Sequence, residues 1–152
     1  MSEAEGAQAL GGPQALGFAT LARGSAERFQ TLRRELGVSS FGINLIVLQP
    51  RQRGRIHSHE RQEEVYLVLE GELTLLVEGE PHVLGVDRLA RVGPGVRRQL
   101  ANADAERRLV VLALGGSGEH AGRDGHAWRS WDERGKGAQP QEVPLPEDLP
   151  GG

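Results

Sequence analysis

Residues 55–71 read RIHSHERQEEVYLVLEG, which places two histidines and a carboxylate ahead of an apolar run that ends at a glycine. Side chains two residues apart in a strand point to the same face, so His57 and His59 should converge on one side of a sheet. Glu64 lies too far along to share that strand and would return from the start of the next one, residues 65–69. Together they form a 2-His-1-carboxylate set, which suits Fe(II) and also Zn, Mn or Ni.

The same stretch has an ordinary alternative interpretation. Arg51, Arg53, Arg55 and Arg61 surround the histidines, and charged residues are mostly found on protein surfaces. In this alternative the segment is a solvated turn between two strands and binds no metal. A lone His-x-His pair does not distinguish the two interpretations, so the wider spacing has to.

The full spacing is His-x-His, four residues, Glu, six residues and Gly, given by His57, His59, Glu64 and Gly71. It resembles the first conserved motif of the cupin superfamily, in which the two histidines and the glutamate bind a metal and the glycine turns a hairpin. The motif also expects a glycine six residues before the first histidine, where this chain has Arg51. The resemblance implies an all-β jelly-roll barrel, the double-stranded β-helix, with a divalent metal ion as cofactor.

The second cupin motif is only partly present, in residues 87–102. Gly95 and Asn102 match it, whereas Arg98 stands where the family has a histidine as fourth ligand. A guanidinium has no available lone pair and cannot bind a metal. If Arg98 points inward, it brings a positive charge to the site and offers Glu64 a bidentate partner, and both effects weaken metal binding. The same group could instead hold an anionic part of a ligand.

Two alternatives keep Arg98 out of the site. The side chain can point outward, or the strand can slip by one residue, which exchanges its two faces. A slip would put Arg97 or Gln99 inside, and a glutamine amide oxygen is a permissible though poor ligand. We expect Arg98 to point inward.

Composition narrows the class of protein. The chain has 152 residues, 22 glycines, no cysteine and a net charge of −3 with acidic and basic residues interspersed. A single domain is expected from this length, without disulfides or thiolate metal sites. The charge does not favour nucleic acid or a membrane as partner. We see neither a signal peptide nor a membrane span and expect a cytoplasmic protein.

The pattern of the chain predicts many short strands separated by turn residues, which is typical of a sandwich or barrel. We expect a domain over residues 25–134 with its core in 41–114. The first segment, 1–24, is expected to be flexible, and the Pro/Gly-rich tail, 135–152, to be disordered or extended. The predicted strands are the histidine-bearing segment and residues 41–49, 65–69, 73–77, 82–84, 89–92, 97–101 and 109–114.

The segment that opens the domain fits two elements. Ser25 can cap a short helix that carries Leu32 and Leu36 on one face, together with Phe29, and that ends at Gly37. A strand over residues 28–33 fits nearly as well.

Several further side chains are candidates for the site. Tyr66 shares the face of Glu64 by alternation, and Asn44 is polar in an otherwise apolar strand, so both are predicted to line a ligand cavity together with Arg98. His82 is most simply a surface or barrel-wall residue. Metal binding by His120 or His126 is possible but is not supported by any motif. Trp128 and Trp131 are expected to pack on the barrel or on a second subunit, with stacking on a ligand as the alternative.

The sequence supports two functions almost equally, with a slight preference for the first. In the first, His57, His59 and Glu64 hold a divalent ion that activates a small molecule, and no catalytic acid or base can be named. In the second, Arg98 pairs with Glu64 in a metal-free pocket that binds a small anionic ligand without turnover. A purely structural or regulatory barrel is a third reading. Homodimerisation is expected because the outer strand faces are apolar.

Overall fold

The computed structural model describes residues 15–116 and 124–151, and ten strands in two antiparallel sheets account for most of its regular structure. One short helix, α1 (Leu32–Leu36), and a 3-10 turn at Pro140–Glu142 accompany them. The strands are β1 (Phe29–Thr31), β2 (Gly42–Leu48), β3 (Ile56–His59), β4 (Glu63–Glu70), β5 (Leu73–Val77), β6 (Glu80–Leu84), β7 (Leu89–Val92), β8 (Arg98–Ala101), β9 (Leu109–Gly116) and β10 (Gly125–Trp128).

The two sheets form the double-stranded β-helix predicted from the sequence. One sheet has the order β1-β2-β9-β4-β7 and the other β10-β3-β8-β5-β6. Their inner faces meet in one apolar core to which both contribute, including Ile46 and Val68 from the first sheet and Leu73 and Leu100 from the second. Burial of these side chains supplies most of the force that holds the sheets together.

Strand β2 is apolar on both faces because each face is covered. Ile46 and Leu48 point into the barrel, while Leu45 and Val47 pack outward against Leu32 of α1. All five are buried, which explains why the sequence of β2 shows no polar face.

The opening segment combines the two predicted alternatives. A three-residue strand that contains Phe29 pairs with β2 and is followed directly by α1, which ends at Gly37 with φ of +76°. The predicted cap is wrong: Ser25 lies outside the helix, and its hydroxyl accepts a hydrogen bond from the amide of Glu27. The residue before the helix is Thr31, whose side chain makes no capping bond.

The glycine of the first motif does not turn a hairpin. Strand β4 pairs with β7 and β9, whereas β5 pairs with β6 and β8, so Gly71 turns the chain from one sheet into the other. It has φ of +80°, and a Cβ atom there would lie 2.4 Å from the carbonyl oxygen of Arg108. A glycine is needed both for the left-handed conformation and for the close approach of the two backbones.

The segment after β9 adds a strand that the sequence did not predict. Strand β10 pairs with β3 at the edge of the second sheet, and the register aligns Gly125 with His59 and Trp128 with Ile56. Trp128 is buried against the barrel, as one of the two alternatives predicted. The isolated bridge between Ala127 and Ala138 then joins this edge to the tail.

The tail takes an extended course along the barrel over residues 135–151. Val143 is buried with 3% of its surface exposed, and its carbonyl accepts a hydrogen bond of 2.6 Å from Arg55 Nε. Arg53 and Arg51 donate in the same way to carbonyls of Glu147 and Pro150. Among the described residues no helix is long and apolar enough to cross a bilayer.

Candidate metal centre

The two sheets bring the 2-His-1-carboxylate set together from opposite sides of the barrel. His57 and His59 extend inward from β3 in the second sheet, and Glu64 faces them from the start of β4 in the first. The Nε2 atoms of His57 and His59 lie 3.7 and 3.6 Å from Glu64 Oε1. One candidate ligand atom from each residue lies within 4.8 Å of the other two, close enough to share one ion.

Both imidazoles are oriented by a partner on the far side of the ring. Nδ1 of His57 lies 3.1 Å from the carbonyl oxygen of Arg55, and Nδ1 of His59 lies 3.0 Å from Asp124 Oδ1. The Arg55 carbonyl can only accept a hydrogen bond, and so can the Asp124 carboxylate while it is ionised. Each imidazole, when neutral, therefore carries its proton on Nδ1. In that tautomer the Nε2 lone pairs face Glu64, so the three side chains present three candidate ligand atoms to one point.

Asp124 is a site residue that the sequence analysis missed. Its carboxylate is buried and also accepts hydrogen bonds from the backbone amides of Arg61 and Gln62 and from the Gln62 side chain. A metal-binding histidine usually donates its other N–H to such a carboxylate. The sequence could therefore have predicted that one of the histidines has a carboxylate partner. It could not have identified Asp124 as that partner, because the contact depends on the pairing of β10 with β3.

Arg98 points inward, as expected, and is fully buried. The pairing of Arg98 with His57 rules out the one-residue slip. Gln99, on the other face, is buried and donates to the carbonyl of Gly54, and Arg97 Cζ lies 5.5 Å from the ring centroids of both tryptophans, Trp128 and Trp131.

The guanidinium does not form the predicted bidentate pair. Arg98 Nη2 donates to Glu64 Oε1 at 2.8 Å, Nε donates to the hydroxyl of Tyr66 at 3.1 Å, and Nη1 donates to the carbonyl of Val96 at 2.9 Å. The Tyr66 hydroxyl in turn donates to Glu64 Oε1. One carboxylate oxygen is therefore fixed by two donors, an arginine and a tyrosine, in addition to the nearby imidazoles.

This environment changes the titration of the site. Burial works to raise the pKa of Glu64, but the hydrogen bond and charge of His57 and the charges of His59 and Arg98 hold that pKa well below its ordinary value. Burial lowers the pKa of His59 in spite of the Glu64 charge. Burial and the Glu64 carboxylate raise the pKa of Tyr66 well above its usual range. A charged carboxylate beside a neutral imidazole is the protonation state that metal binding requires.

A cavity of about 230 Å³ opens beside the ligand set, between the two sheets. Asn44 and Tyr66, both predicted to face a cavity, are part of its wall. Arg98 is not part of this wall, because it lies behind Glu64 and is turned toward protein atoms. Within the part of the chain that the structure describes, Arg98 therefore does not reach the cavity in which it was predicted to contact a ligand.

The two other histidines that the structure describes lie away from the centre. His82 is exposed on the edge strand β6, and His126 Nε2 lies 3.6 Å from Glu60 Oε2 near the surface. His120 falls outside the described residues. Trp131 takes part in the contact with Arg97 and is not part of the cavity wall.

Comparison with known proteins agrees with this geometry. The family model described as a cupin domain matches residues 44–115, which contain the ligand set and Arg98. Residues 44–115 form a domain of the cupin superfamily. No curated protein matches this chain.

Solved structures share the fold at low identity. A cupin protein from Bacteroides fragilis is 17% identical over 67% of this chain and 84% of that one, with a TM-score of 0.59. A cupin 2 conserved barrel domain protein from Salinispora arenicola is 20% identical over 65% and 87%, with a TM-score of 0.57. A sugar phosphate isomerase of the cupin superfamily from Silicibacter pomeroyi is 26% identical over 66% and 68%, with a TM-score of 0.54.

Proposed function

We propose that this cupin binds one divalent metal ion through His57 Nε2, His59 Nε2 and the carboxylate of Glu64, and uses it to act on a small molecule in the adjacent cavity. One observation supports this most directly: both Nδ1 atoms face acceptors, so both Nε2 lone pairs converge on a carboxylate oxygen within 3.7 Å. Three candidate ligand atoms this close together can share one ion, and the partners behind the two rings orient them for it.

The donor set suits the ions named from the sequence. Two imidazoles and a carboxylate accept Fe(II), Mn, Zn or Ni, and three protein ligands leave positions open for water or substrate. When bound, such an ion supplies Lewis-acid polarisation of a substrate oxygen or activation of a bound molecule. The chain's own residues orient the ligands, and the apolar walls restrict water.

Arg98 gives the centre a distinctive balance of charge. It supplies a fixed positive charge 2.8 Å from Glu64 Oε1, so the carboxylate is already partly neutralised before an ion arrives. We therefore expect weaker metal binding than a fourth histidine would give, with positive charge left over at the ion. An anionic substrate head would compensate that charge, in keeping with the small anionic molecule predicted from the sequence.

The relative from Silicibacter pomeroyi suggests isomerisation as one reaction class. That protein is described as a sugar phosphate isomerase and is 26% identical to this chain. Metal-assisted isomerisation of a hydroxy-carbonyl compound is compatible with three ligands and open positions. Because proteins with the same fold act on many substrates, the similarity in fold does not identify the substrate. The side chains that line the cavity determine which molecule can bind.

The metal-free alternative has less structural support. It requires Arg98 to contact an anionic ligand, but this side chain is fully buried and donates its hydrogen bonds to Tyr66, Val96 and Glu64. Binding of a small anion by metal-depleted protein, lost on Arg98→Met, would favour this alternative.

Elemental analysis and metal titration of the purified protein test the proposal. After reconstitution we expect about one divalent ion per chain, with loss of binding in His57→Ala and His59→Ala. His82→Ala is the matched control, because His82 is an exposed histidine away from the cavity. Failure of the parent protein to take up near-stoichiometric Fe, Mn, Zn or Ni would end the proposal.

A further inference from the structure

The cavity beside the ligand set is apolar over most of its wall. One end holds the proposed metal ligands and Tyr66. The rest is formed largely by apolar side chains from the two sheets and by one proline of the tail: Phe29, Ile46, Leu48, Leu100, Ala113 and Pro140. A ligand that reaches the proposed ion must therefore place the remainder of its body against hydrocarbon.

Polar side chains are few in this wall. Apart from the ligand set and Tyr66, the cavity wall has two, Asn44 and Arg55. Arg55 Nε already donates to the carbonyl of Val143 at 2.6 Å. The side-chain amide of Asn44 forms no hydrogen bond with any other described residue, so it has both donor and acceptor capacity for one polar atom of a ligand.

A phosphorylated sugar fits this wall poorly. Its hydroxyl groups would lose water against Ile46, Leu48 and Leu100 without partners, and each unpaired buried hydroxyl is unfavourable. Its phosphate would need several cationic or amide donors, but Arg98 is committed to protein acceptors and Arg55 alone remains at the wall.

We propose that the cavity takes a small monoanion with two chelating oxygens at one end and an aliphatic or aromatic body at the other, of the 2-oxo acid or 2-hydroxy acid class. The inference rests on the proposed metal function, because the head binds through the ion. Because the charges of Arg98 and Glu64 cancel, a bound divalent ion would keep its two positive charges, and the carboxylate of the ligand would neutralise one of them. The apolar body lies along Ile46, Leu48 and Leu100.

Calorimetric titration of the zinc-loaded full chain with three probes tests the inference. Pyruvate has the chelating head alone, 4-methyl-2-oxopentanoate adds an aliphatic body, and glucose 6-phosphate represents a phosphorylated sugar. We expect 4-methyl-2-oxopentanoate to bind roughly tenfold tighter than pyruvate because of its buried hydrocarbon, and both oxo acids to lose binding after metal removal. Glucose 6-phosphate should bind more weakly than 4-methyl-2-oxopentanoate.

Filling the wall provides an independent check. Ala113 is 2% exposed and forms part of the cavity wall, so Ala113→Leu should weaken binding of 4-methyl-2-oxopentanoate about tenfold and binding of the smaller pyruvate less. Should that variant fail to fold, the three-probe ranking on the parent protein decides alone. Equal binding of the two oxo acids, or preferred binding of glucose 6-phosphate, overturns the inference. Absence of zinc binding overturns the proposed function instead.

Discussion

Arg98 Nη2 lies 2.8 Å from Glu64 Oε1, so the carboxylate that would bind a metal ion already has a fixed cation as its partner. The arginine is fully buried, and its Nε contacts the hydroxyl of Tyr66, which donates to the same oxygen. This arrangement replaces a fourth neutral ligand with a charge. It makes the affinity of the centre for a divalent ion depend on a residue that cannot bind the ion.

Replacing that charge by a ligand should strengthen metal binding. In Arg98→His the guanidinium is lost, and an imidazole extends from β8 at the position paired with His57. We expect zinc affinity to rise by at least about tenfold, which corresponds to about 1.4 kcal/mol, in competition titrations with a chelator. Arg107→His is the matched control because Arg107 is 75% exposed. An affinity equal to that of the parent would count against the role given to Arg98.

The contact between Asp124 and His59 should support metal affinity from behind the ring. Asp124→Asn keeps the shape but removes the charge that holds the Nδ1 proton of His59, so we expect zinc affinity to fall roughly 10- to 100-fold. The measurement is the same competition titration, with thermal unfolding of the metal-free protein recorded alongside. Asp132→Asn, at an exposed aspartate, should leave the affinity unchanged. No difference between the two variants would contradict this role.

The turn at Gly71, which leads from β4 in one sheet to β5 in the other, should be destabilised by a single added methyl group. Gly71 and Gly79 both have positive φ, but only at Gly71 would a Cβ meet backbone, at 2.4 Å from the oxygen of Arg108. We expect Gly79→Ala to lower the free energy of unfolding by about 1 kcal/mol for the backbone conformation alone. Gly71→Ala should cost at least about twice as much, because the neighbouring backbone must also shift.

Denaturant titration of both alanine variants gives the comparison. Similar losses of stability would mean that the close contact at Gly71 relaxes at no cost.

The tail should contribute to the stability of the barrel through one buried valine. Val143 is 3% exposed, so Val143→Ala is expected to lower the free energy of unfolding by about 1–3 kcal/mol. Val83→Ala makes the same chemical change at a site that is 58% exposed and should stay within about 0.5 kcal/mol of the parent. Limited proteolysis should also cut the tail of Val143→Ala faster. Equal behaviour of the two variants would show that the tail does not hold to the barrel in solution.

The sequence predicted the barrel well because its signals were local. Strand β2 and strand β4 were evident from apolar runs bounded by turn residues, and the spacing of His57, His59 and Glu64 identified the set that the structure brings together. The inward direction of Arg98 was expected from its place in the second motif, where the family has a ligand histidine. These features depend on residues near one another in the chain, where alternation and turn chemistry are informative.

What the sequence did not show depends on pairing between distant segments. The role of Asp124 follows from the alignment of β10 with β3, across 65 positions between His59 and Asp124. The turn at Gly71 could not be recognised as a corner, because a glycine with positive φ serves a hairpin equally well. The guanidinium of Arg98 divides its hydrogen bonds among Glu64, Tyr66 and Val96, and the first two depend on how β4 of one sheet faces β8 of the other.

The attachment of the tail has a consequence for the order of biosynthesis. Arg55, Arg53 and Arg51 bond to carbonyls that lie 88, 94 and 99 residues later in the chain. His57, His59 and Glu64 also precede Pro140, which lines the same cavity. During synthesis they leave the ribosome before the segment that completes the cavity wall exists. Contacts between residues so far apart in the chain slow folding.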